Sequence, residues 1–311
     1  MADSSPISSL LPAVVYVNPN AGNGRAVSGL PRIRKVFAAA SVPAEFISVG
    51  STQDLEANAL AAIQSGKRLL FALGGDGTFQ ALANATYGSD VVLGILPAGG
   101  GNDFAAALQL PADLVAAAET ILRGRPMRVD LARERTAEGR VRLYLAGGGL
   151  GIDAEAARYA NETFRCMPGR SRYIASALWA FCGYRAIGVT AEFPGSHLPS
   201  MEVNSLLAAV LNTPTYGSGI RLAPGARLDD GWLDAVMVED LSAFQVLQLL
   251  PRLLKSGELR TPHVHRVRVQ AVKFATDRPC MFHGDGEILG PTPVVIEVLP
   301  QAVRVLVPAQ N

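Results

Sequence analysis

Cysteine is scarce in this chain: three residues, at 166, 182 and 280, an odd number with no C-x-x-C spacing. That argues against a disulfide framework and a zinc site, and points to a reducing cytoplasm. Neither sign of charge dominates, since 28 Lys and Arg face 27 Asp and Glu. Any attraction to an anionic surface must therefore come from local patches. No basic residue precedes Arg25, while Asp3 stands near the start, so the positive n-region of a secretory signal is missing. Long apolar runs are missing too. The longest, at 174–184, is about half of what a spanning helix needs, and no transmembrane segment is expected. There is no internal repeat and no low-complexity tract.

What is present is the composition of a soluble globular protein, 49% apolar and 18% charged, which excludes a disordered chain. At 311 residues two domains are expected. The first third alternates strand-like and helical runs: strands at 13–17, 45–49, 68–73 and 91–96, and helices to about residue 40, from Ser51 or Thr52 to 65, and from near Thr78 and Asn102. Pro31 is compatible with the first helix only in its first turn. Such alternation implies right-handed crossovers and a parallel sheet. After residue 128 the strand-like runs crowd together, at 141–146, 189–193, 205–211, 233–239, 264–274 and 294–298. Alternation in 265–273 predicts an antiparallel sheet with one wet face. Helical stretches interrupt it at 155–186 and 242–255. The expected division is 1–128, an α/β domain, and 129–311, a β-rich domain whose extreme C-terminus could pack back on the first.

Three glycine-containing turns follow strands of the first domain: 18–24, 74–78 and 97–103. In an open parallel sheet all three gather at the carboxyl edge, where ligands bind. Glycine lets the backbone approach a phosphate, and the helix starts behind Thr78 and Asn102 would offer free N–H groups. None is a Walker A loop, for no G-K-[ST] follows. The loop 74–78 even carries an acid, Asp76, and no lysine. Gly149-Leu-Gly-Ile-Asp-Ala154 matches the loose dinucleotide pattern, but it lies mid-chain with no acid-ended parallel strand after it, and a tight turn is expected there.

At these residues the sequence resembles the diacylglycerol kinase catalytic family, in its bacterial lipid-kinase branch. Gly74-Gly-Asp-Gly-Thr78 is similar to the family's GGDGT signature, which NAD kinases and phosphofructokinases share. Leu96-Pro-Ala-Gly-Gly-Gly-Asn-Asp-Phe-Ala105 is similar to L-P-x-G-T-x-N-D-F-A, and Asn18-Pro-Asn-Ala-Gly22 to N-P-x-x-G. Further on, the stretch 223–234 resembles P-x-A-x-x-x-D-G-x-L-D, and Gly284-Asp-Gly-Glu287 the D-G-E near the end. The match runs over 13–307. It implies a NAD kinase- or phosphofructokinase-like nucleotide domain, an antiparallel β-sandwich-like second domain, and a cleft between them holding ATP and Mg²⁺. A lipid hydroxyl would be the phosphoryl acceptor. It further implies Asp285 as general base beside Glu287, and a metal role for Asp230 with backbone oxygens of Arg227 and Trp232. Asn18, Ser51, Thr52, Gly74, Gly75, Asp76, Gly77, Thr78, Gly100, Asn102, Asp103 and Asp130 would line the nucleotide and metal site. Gly100 departs from the family's Thr and removes one hydroxyl contact.

The residues themselves are compatible with this chemistry. An alcohol is a poor nucleophile, and a carboxylate within reach can take its proton as the new bond forms. In an extended 285–287 segment both acids would face one side; the competing reading is a solvated Asp-Gly turn. Asp229-Asp230-Gly231 reads as a turn that could also hold metal. Asp103 is equally explained by the helix dipole, and Asp76 would hold the Mg²⁺ that travels with ATP. His263 and His265 lack a third ligand nearby in sequence and read as exposed strand residues; His283 receives no role.

For membrane access, 156–185 carries five arginines against one acid, interleaved with aromatics, and 251–273 carries six Lys and Arg against one acid. Such patches suit a lipid surface; a solvated basic face explains them equally well. Nucleic acid is not an expected partner, for no binding motif is present. Exposed sheet edges in the second domain could pair two copies. Two other functions stay open: a NAD kinase-like small-molecule kinase, and a catalytically silent nucleotide- or lipid-binding regulator. The expected place is cytoplasmic, peripheral at the inner membrane face where lipid is met.

Overall fold

The computed structural model describes residues 7–309 apart from 154, 157, 158, 160–162, 165, 168, 218, 257, 258 and 260, and side chains outside 169–174, 247, 250 and 252–256. The chain divides into two compact units, Met1–Asp130 with Gln301–Asn311, and Leu131–Pro300.

In the first unit β1 (Ala13–Val17), β2 (Ala44–Ser48), β3 (Leu69–Gly74) and β4 (Val92–Pro97) form a parallel sheet in the order β2-β1-β3-β4. Val15 lies opposite both Phe46 and Phe71. Every residue of β1, β3 and β4 is buried, which is why these strands read as unbroken apolar runs. Helices α1 (Arg25–Ala39), α2 (Thr52–Gln64), α3 (Asp76–Thr86), α4 (Asp103–Ala107) and α5 (Leu114–Leu122) accompany them. Phe37 of α1 meets the rings of Phe46 and Phe71 edge-on, with centroids 5.5 and 5.2 Å away. The hydroxyl of Ser51 accepts the Asp54 N–H at 3.1 Å and caps α2, as expected of a serine before a helix. Pro31 differs from expectation, since it lies in the second turn of α1. The orphaned carbonyl belongs to Val27, which is half exposed, so water can satisfy it.

The second unit is antiparallel. Strands β5 (Arg125–Thr136) and β15 (Val294–Val307) each have one end in either unit. Between them come β6 (Val141–Tyr144), β7 (Gly147–Gly151), β8 (Ile187–Glu192), β9 (Met201–Leu211), β10 (Leu233–Glu239), β11 (Val264–Val269), β12 (Ala271–Thr276), β13 (Met281–Gly284) and β14 (Glu287–Pro291). Helices α6 (Gly169–Gly183) and α7 (Ala243–Ser256) interrupt the strands. Neighbours follow the order β14-β13-β7-β9-β8-β12-β15, with β10 between β9 and β11, and β6 on β5. The far end of β15 returns to the first unit, where Arg304 and Val305 pair in parallel with Val92 and Leu93 of β4.

Strand period two divides the second unit's apolar residues between two cores. Ala208 and Val210 of β9, with Leu233, Ala235 and Met237 of β10, join Tyr144, Phe274 and Phe282. Leu206, Ala209 and Leu211 of β9, with Val236 and Val238 of β10, face a cluster containing Leu222 and Leu241. Both faces are therefore covered at β9 and β10, while the alternation expected of a wet face is seen on β8, on β12 and, at the edge, on β11. The run 264–274 is not one strand. It breaks at Gln270, so that β11 pairs with β10 and β12 with β8 and β15. Of the helical stretch expected over 155–186, α6 is the described core; several residues before it lie outside the described set.

Candidate active site

The strand order β2-β1-β3-β4 reverses between β1 and β3, the switch point at which open parallel sheets bind ligands. The three glycine turns meet there and interlock. Asn18 closes β1 by donating its N–H to the Leu73 carbonyl at 3.0 Å, and its side-chain amide donates to the Thr78 hydroxyl at 2.9 Å. Gly22 has φ +58°, and a Cβ on it would sit 2.0 Å from the Ala98 carbonyl oxygen. Ala98 in turn donates its N–H to Gly74 at 2.8 Å. Gly75 and Gly99 pass backbone to backbone: a Cβ on Gly99 would lie 2.5 Å from the Gly75 Cα. Space requires glycine at 22 and 99, and at 22 the left-handed φ requires it too. Asn102, itself left-handed at φ +58°, accepts the Gly99 N–H at 3.0 Å and donates back to the Gly99 carbonyl at 2.9 Å.

Asp76 opens α3, and its two carboxylate oxygens accept the N–H groups of Asp103 at 3.1 Å and Phe104 at 3.2 Å. The acid of the glycine loop thus caps the first turn of the neighbouring helix α4. This corrects one expectation: the helix start behind Asn102 does not offer free N–H groups at 103 and 104, because Asp76 already receives them. The Gly99 N–H is likewise taken, by the Asn102 side chain. Asp103 is buried.

The remaining nucleotide candidates are Ser51, Thr52 and Asp130. Ser51 and Thr52 follow β2, where the Ser51 hydroxyl is used as the α2 cap. Asp130 is fully buried and accepts the Gln301 N–H at 2.7 Å. It anchors β15 at a residue with φ +51°.

In the second unit Asp285 and Gly286 form the turn between β13 and β14, both with positive φ, +49° and +89°. Successive left-handed residues are the signature of a type I′ hairpin, for which Asp-Gly is a favoured pair. The segment is therefore not extended, and the two acids do not share one side: Glu287 is exposed, while Asp285 turns onto the backbone of 145–147. Its Oδ2 accepts the Leu145 N–H at 2.7 Å, and its Oδ1 accepts Ala146 and Gly147 at 2.9 and 3.1 Å. Three N–H donors hold the ionised carboxylate in one orientation. Burial pushes the neighbouring Tyr144 phenol well up, and the Asp285 charge adds to it. The strand β7, expected as a tight turn, is glycine-rich because both faces are occupied: a Cβ on Gly148 would strike the Phe282 ring and one on Gly147 the Tyr216 ring. Nothing in the local pattern announces this strand. Nor does it announce Glu134 of β5, a fully buried carboxyl with no hydrogen-bond partner among the described residues.

At the 229–231 turn the Asp230 Oδ1 accepts the Trp232 N–H at 3.1 Å, and its Oδ2 pairs with Arg268 Nη2 at 2.5 Å. Arg227 faces Asp229 at 3.4 Å. No group of three His, Cys, Asp or Glu able to hold a metal exists among the described residues. A divalent ion on the Asp230 carboxylate would stand beside a guanidinium, so this turn does not fit a cation. His263 and His265 are half-buried, not exposed: His263 Nδ1 and His265 Nε2 lie 2.8 and 2.6 Å from the two oxygens of Glu239. Hydrogen bonds from both rings pull the Glu239 carboxyl below its ordinary range.

The basic patches are partly spent internally. Arg266 donates to the carbonyls of Leu222 and Leu259, Arg268 binds Asp230, and Lys273 pairs with Glu192 at 3.2 Å. The side chains of Arg252 and Lys255, and Arg260 itself, lie outside the described residues, as do Arg158 and Arg165 and the side chains of Arg170 and Arg172. Among the aromatics Trp179 is exposed and meets Phe164, whereas Phe181 and Tyr184 pack on the core. No helix of the described residues is long and apolar enough to cross a membrane.

Comparison with known proteins agrees with this architecture. Residues 12–133 match the diacylglycerol kinase catalytic domain, and residues 149–307, just over half of the chain, match the YegS C-terminal NAD kinase beta sandwich-like domain. A diacylglycerol kinase of Mycobacterium tuberculosis is 28% identical over 94% of this chain and 93% of its own. A YegS-like lipid kinase of Stenotrophomonas maltophilia is 28% identical over 82% of this chain and 84% of its own. The crystal structure of a diacylglycerol kinase from Bacillus anthracis superposes with a TM-score of 0.71 at 21% identity, covering 95% and 96% of the two chains, a likeness of fold. The chain belongs to the bacterial lipid-kinase family that joins a diacylglycerol kinase catalytic domain to a YegS C-terminal domain.

Proposed function

We propose that the chain transfers the γ-phosphoryl group of ATP to the hydroxyl of a diacylglycerol-like lipid, with Asp285 accepting the alcohol proton. The observation that carries the nucleotide half is the interlock of the three glycine loops at the β1/β3 switch point, with Asn18–Thr78 and Asp76–α4 as its bolts. Loops held this firmly present their N–H groups without a further ordering cost when phosphate arrives. Mg²⁺ accompanies ATP and neutralises charge on the transferring group. Asp76 supplies the hard carboxylate oxygens that such an ion takes, so it fits a place beside it, directly or through water.

The acid half rests on the anchored Asp285. Its oxygens accept the N–H groups of Leu145, Ala146 and Gly147, which fixes the carboxylate in one orientation. The alcohol oxygen bonds to the γ-phosphorus, the bond from that phosphorus to the bridging oxygen breaks, ADP leaves, and the proton moves to the Asp285 carboxylate. A carboxylate already held in one orientation can take a proton without reorganising. It suits phosphoryl transfer, where the proton needs removal only late, as the new bond forms. The exposed Trp179 beside Phe164 supports contact with a lipid surface, where such a ring is favourable.

The test is γ-labelled ATP with a panel of diacylglycerol, phosphatidylglycerol, a sphingoid base, a polyprenol and NAD. A labelled lipid that is lost with Asp285→Asn supports the proposal. Labelling of NAD alone overturns the lipid assignment, and no labelled product anywhere overturns the catalytic one.

A further inference from the structure

The family resemblance assigns a divalent cation to the turn that carries Asp230, and the side chains of this chain disagree with it. The turn is left-handed at Gly231, φ +73°, and it precedes β10. Directly across from β10 runs the edge strand β11, in which Arg268 stands opposite Asp234. The alternation of 264–269 sends Arg266 and Arg268 to one face. Arg266 donates to two backbone carbonyls. Arg268 reaches over the turn: Nη2 lies 2.5 Å from Asp230 Oδ2, and the guanidinium carbon is 5.4 Å from the centre of the Trp232 ring. Asp230 is largely covered, with 19% of its side chain exposed, and its other oxygen receives the Trp232 N–H. Asp234 belongs to the same group of charges, standing opposite Arg268 across the two strands.

Two acids close enough to repel, a buried-side carboxylate and an aromatic face all meet one guanidinium. That is the full set of duties a bound cation would perform at such a turn: neutralising the carboxylates and fixing the loop before a strand. The guanidinium is planar and permanently charged, stacks on rings and donates several hydrogen bonds from one group. A magnesium ion at Asp230 would need oxygen ligands at about 2.1 Å in octahedral geometry, on an oxygen already held by a like-charged group.

We infer that in this chain Arg268 takes the place of the structural cation at Asp230, so that the 227–232 turn is held by a side chain and folds without metal. The inference concerns the stability of the second unit and does not depend on which lipid is phosphorylated, or on whether any is.

Thermal unfolding of the nucleotide-free chain in EDTA and in millimolar Mg²⁺ tests it, with Arg268→Gln, Arg268→Lys and Asp230→Asn alongside. The wild type is expected to melt at the same temperature in both buffers. Arg268→Gln is expected to melt about 2–4 °C lower in EDTA, the loss of one partly covered ion pair, and Arg268→Lys to fall between, since it keeps the charge without the planar fork. A wild-type melting temperature that rises with Mg²⁺ and ceases to do so in Asp230→Asn would overturn the inference. So would an Arg268→Gln protein that melts in EDTA like the wild type. If Arg268→Gln does not fold, the wild-type and Asp230→Asn pair still decides.

Discussion

Replacing Glu134 by Gln should stabilise the chain increasingly as pH rises from about 4.5 to about 7. Glu134 lies near the C-terminal end of β5, opposite Arg142 of β6, and is fully buried, with neither carboxylate oxygen hydrogen-bonded among the described residues. A Cβ on Gly290 of β14 would come within 3.2 Å of Oε1, so the carboxyl is pressed against the hairpin that presents Asp285. Burial pushes its pKa up to about 7 from 4.5; Arg140 and Arg142 pull it down and Glu138 adds a little upward. The sign follows from linkage. Below pH 4.5 the group is protonated in both the folded and the unfolded chain and costs nothing extra. Between 4.5 and 7 the unfolded chain ionises while the folded one does not, so stability falls with rising pH. Above 7 the full penalty is present. At 1.36 kcal/mol per pH unit the gap amounts to about 3 kcal/mol, an upper figure because the two arginines can move closer. The unit has the size at which 1 kcal/mol moves the melting temperature by about 2–4 °C. Gln keeps the shape and removes the charge. Its own unmet amide contributes a term that does not change with pH, so the informative quantity is the difference in melting temperature between Gln and Glu proteins, followed from pH 4.5 to 8. It should grow by several degrees and level off past neutrality. A difference that is flat in pH, or shrinks, would show that Glu134 is solvated or paired when folded and would refute the reasoning.

Asp76→Ala should destabilise the start of α4 by about 0.5–2 kcal/mol, the range for losing a helix cap. It should also weaken ATP binding measured by calorimetry; unchanged affinity and unchanged hydrogen exchange at 103 and 104 would count against the interlock. Gly22→Ala should unlatch the first loop from Ala98, because the added Cβ would lie 2.0 Å from the carbonyl oxygen, and ATP affinity should fall at least tenfold while the second unit melts as before. Asp285→Asn should abolish lipid phosphorylation in the labelled-ATP assay and also lower stability by about 1–3 kcal/mol, since an amide cannot accept all three N–H groups. A variant with full stability would mean the carboxylate is not held by 145–147.

Much of the first unit was legible because its strands are buried on both faces and punctuated by glycine turns, and because Ser51 announces a helix. The second unit was harder for a stated physical reason. Strand β7 is made largely of glycine, and the need for glycine comes from Phe282 and Tyr216 pressing on it from distant parts of the chain. No local pattern carries that information. The break at Gln270 is likewise tertiary: residues on either side of it keep the strand period while joining different neighbours. At the site, residue types pointed to Asp285, but the hairpin geometry decided its neighbours. Positive φ at 285 and 286 turns the acid onto three backbone donors and leaves Glu287 outside, a separation that an extended strand would not produce. His263 and His265 show the same limit, for their partner Glu239 lies on the neighbouring strand β10.

An acid at the centre of a phosphate loop is an electrostatic puzzle only if the loop works alone. Asp76 spends its carboxylate on Asp103 and Phe104, which satisfies a helix start of only five residues that has no side-chain cap of its own. A helix this short contributes little dipole to a ligand, so giving up its N–H groups forfeits little anion binding. In return the third loop is tied to the second at the point where Gly75 and Gly99 touch. The loop backbone, which no side chain could replace at such close approach, is then held at a fixed spacing. A negative charge whose lone pairs already receive two N–H groups repels an incoming anion less than a bare one. The acid therefore belongs first to the framework of the site and second to its ligand. An Asp76→Asn protein separates the two duties: its amide keeps one acceptor oxygen for the α4 start, so the fold should largely persist, while the dependence of the rate on Mg²⁺ concentration should shift upward. Unchanged Mg²⁺ dependence would leave the carboxylate with the structural duty alone.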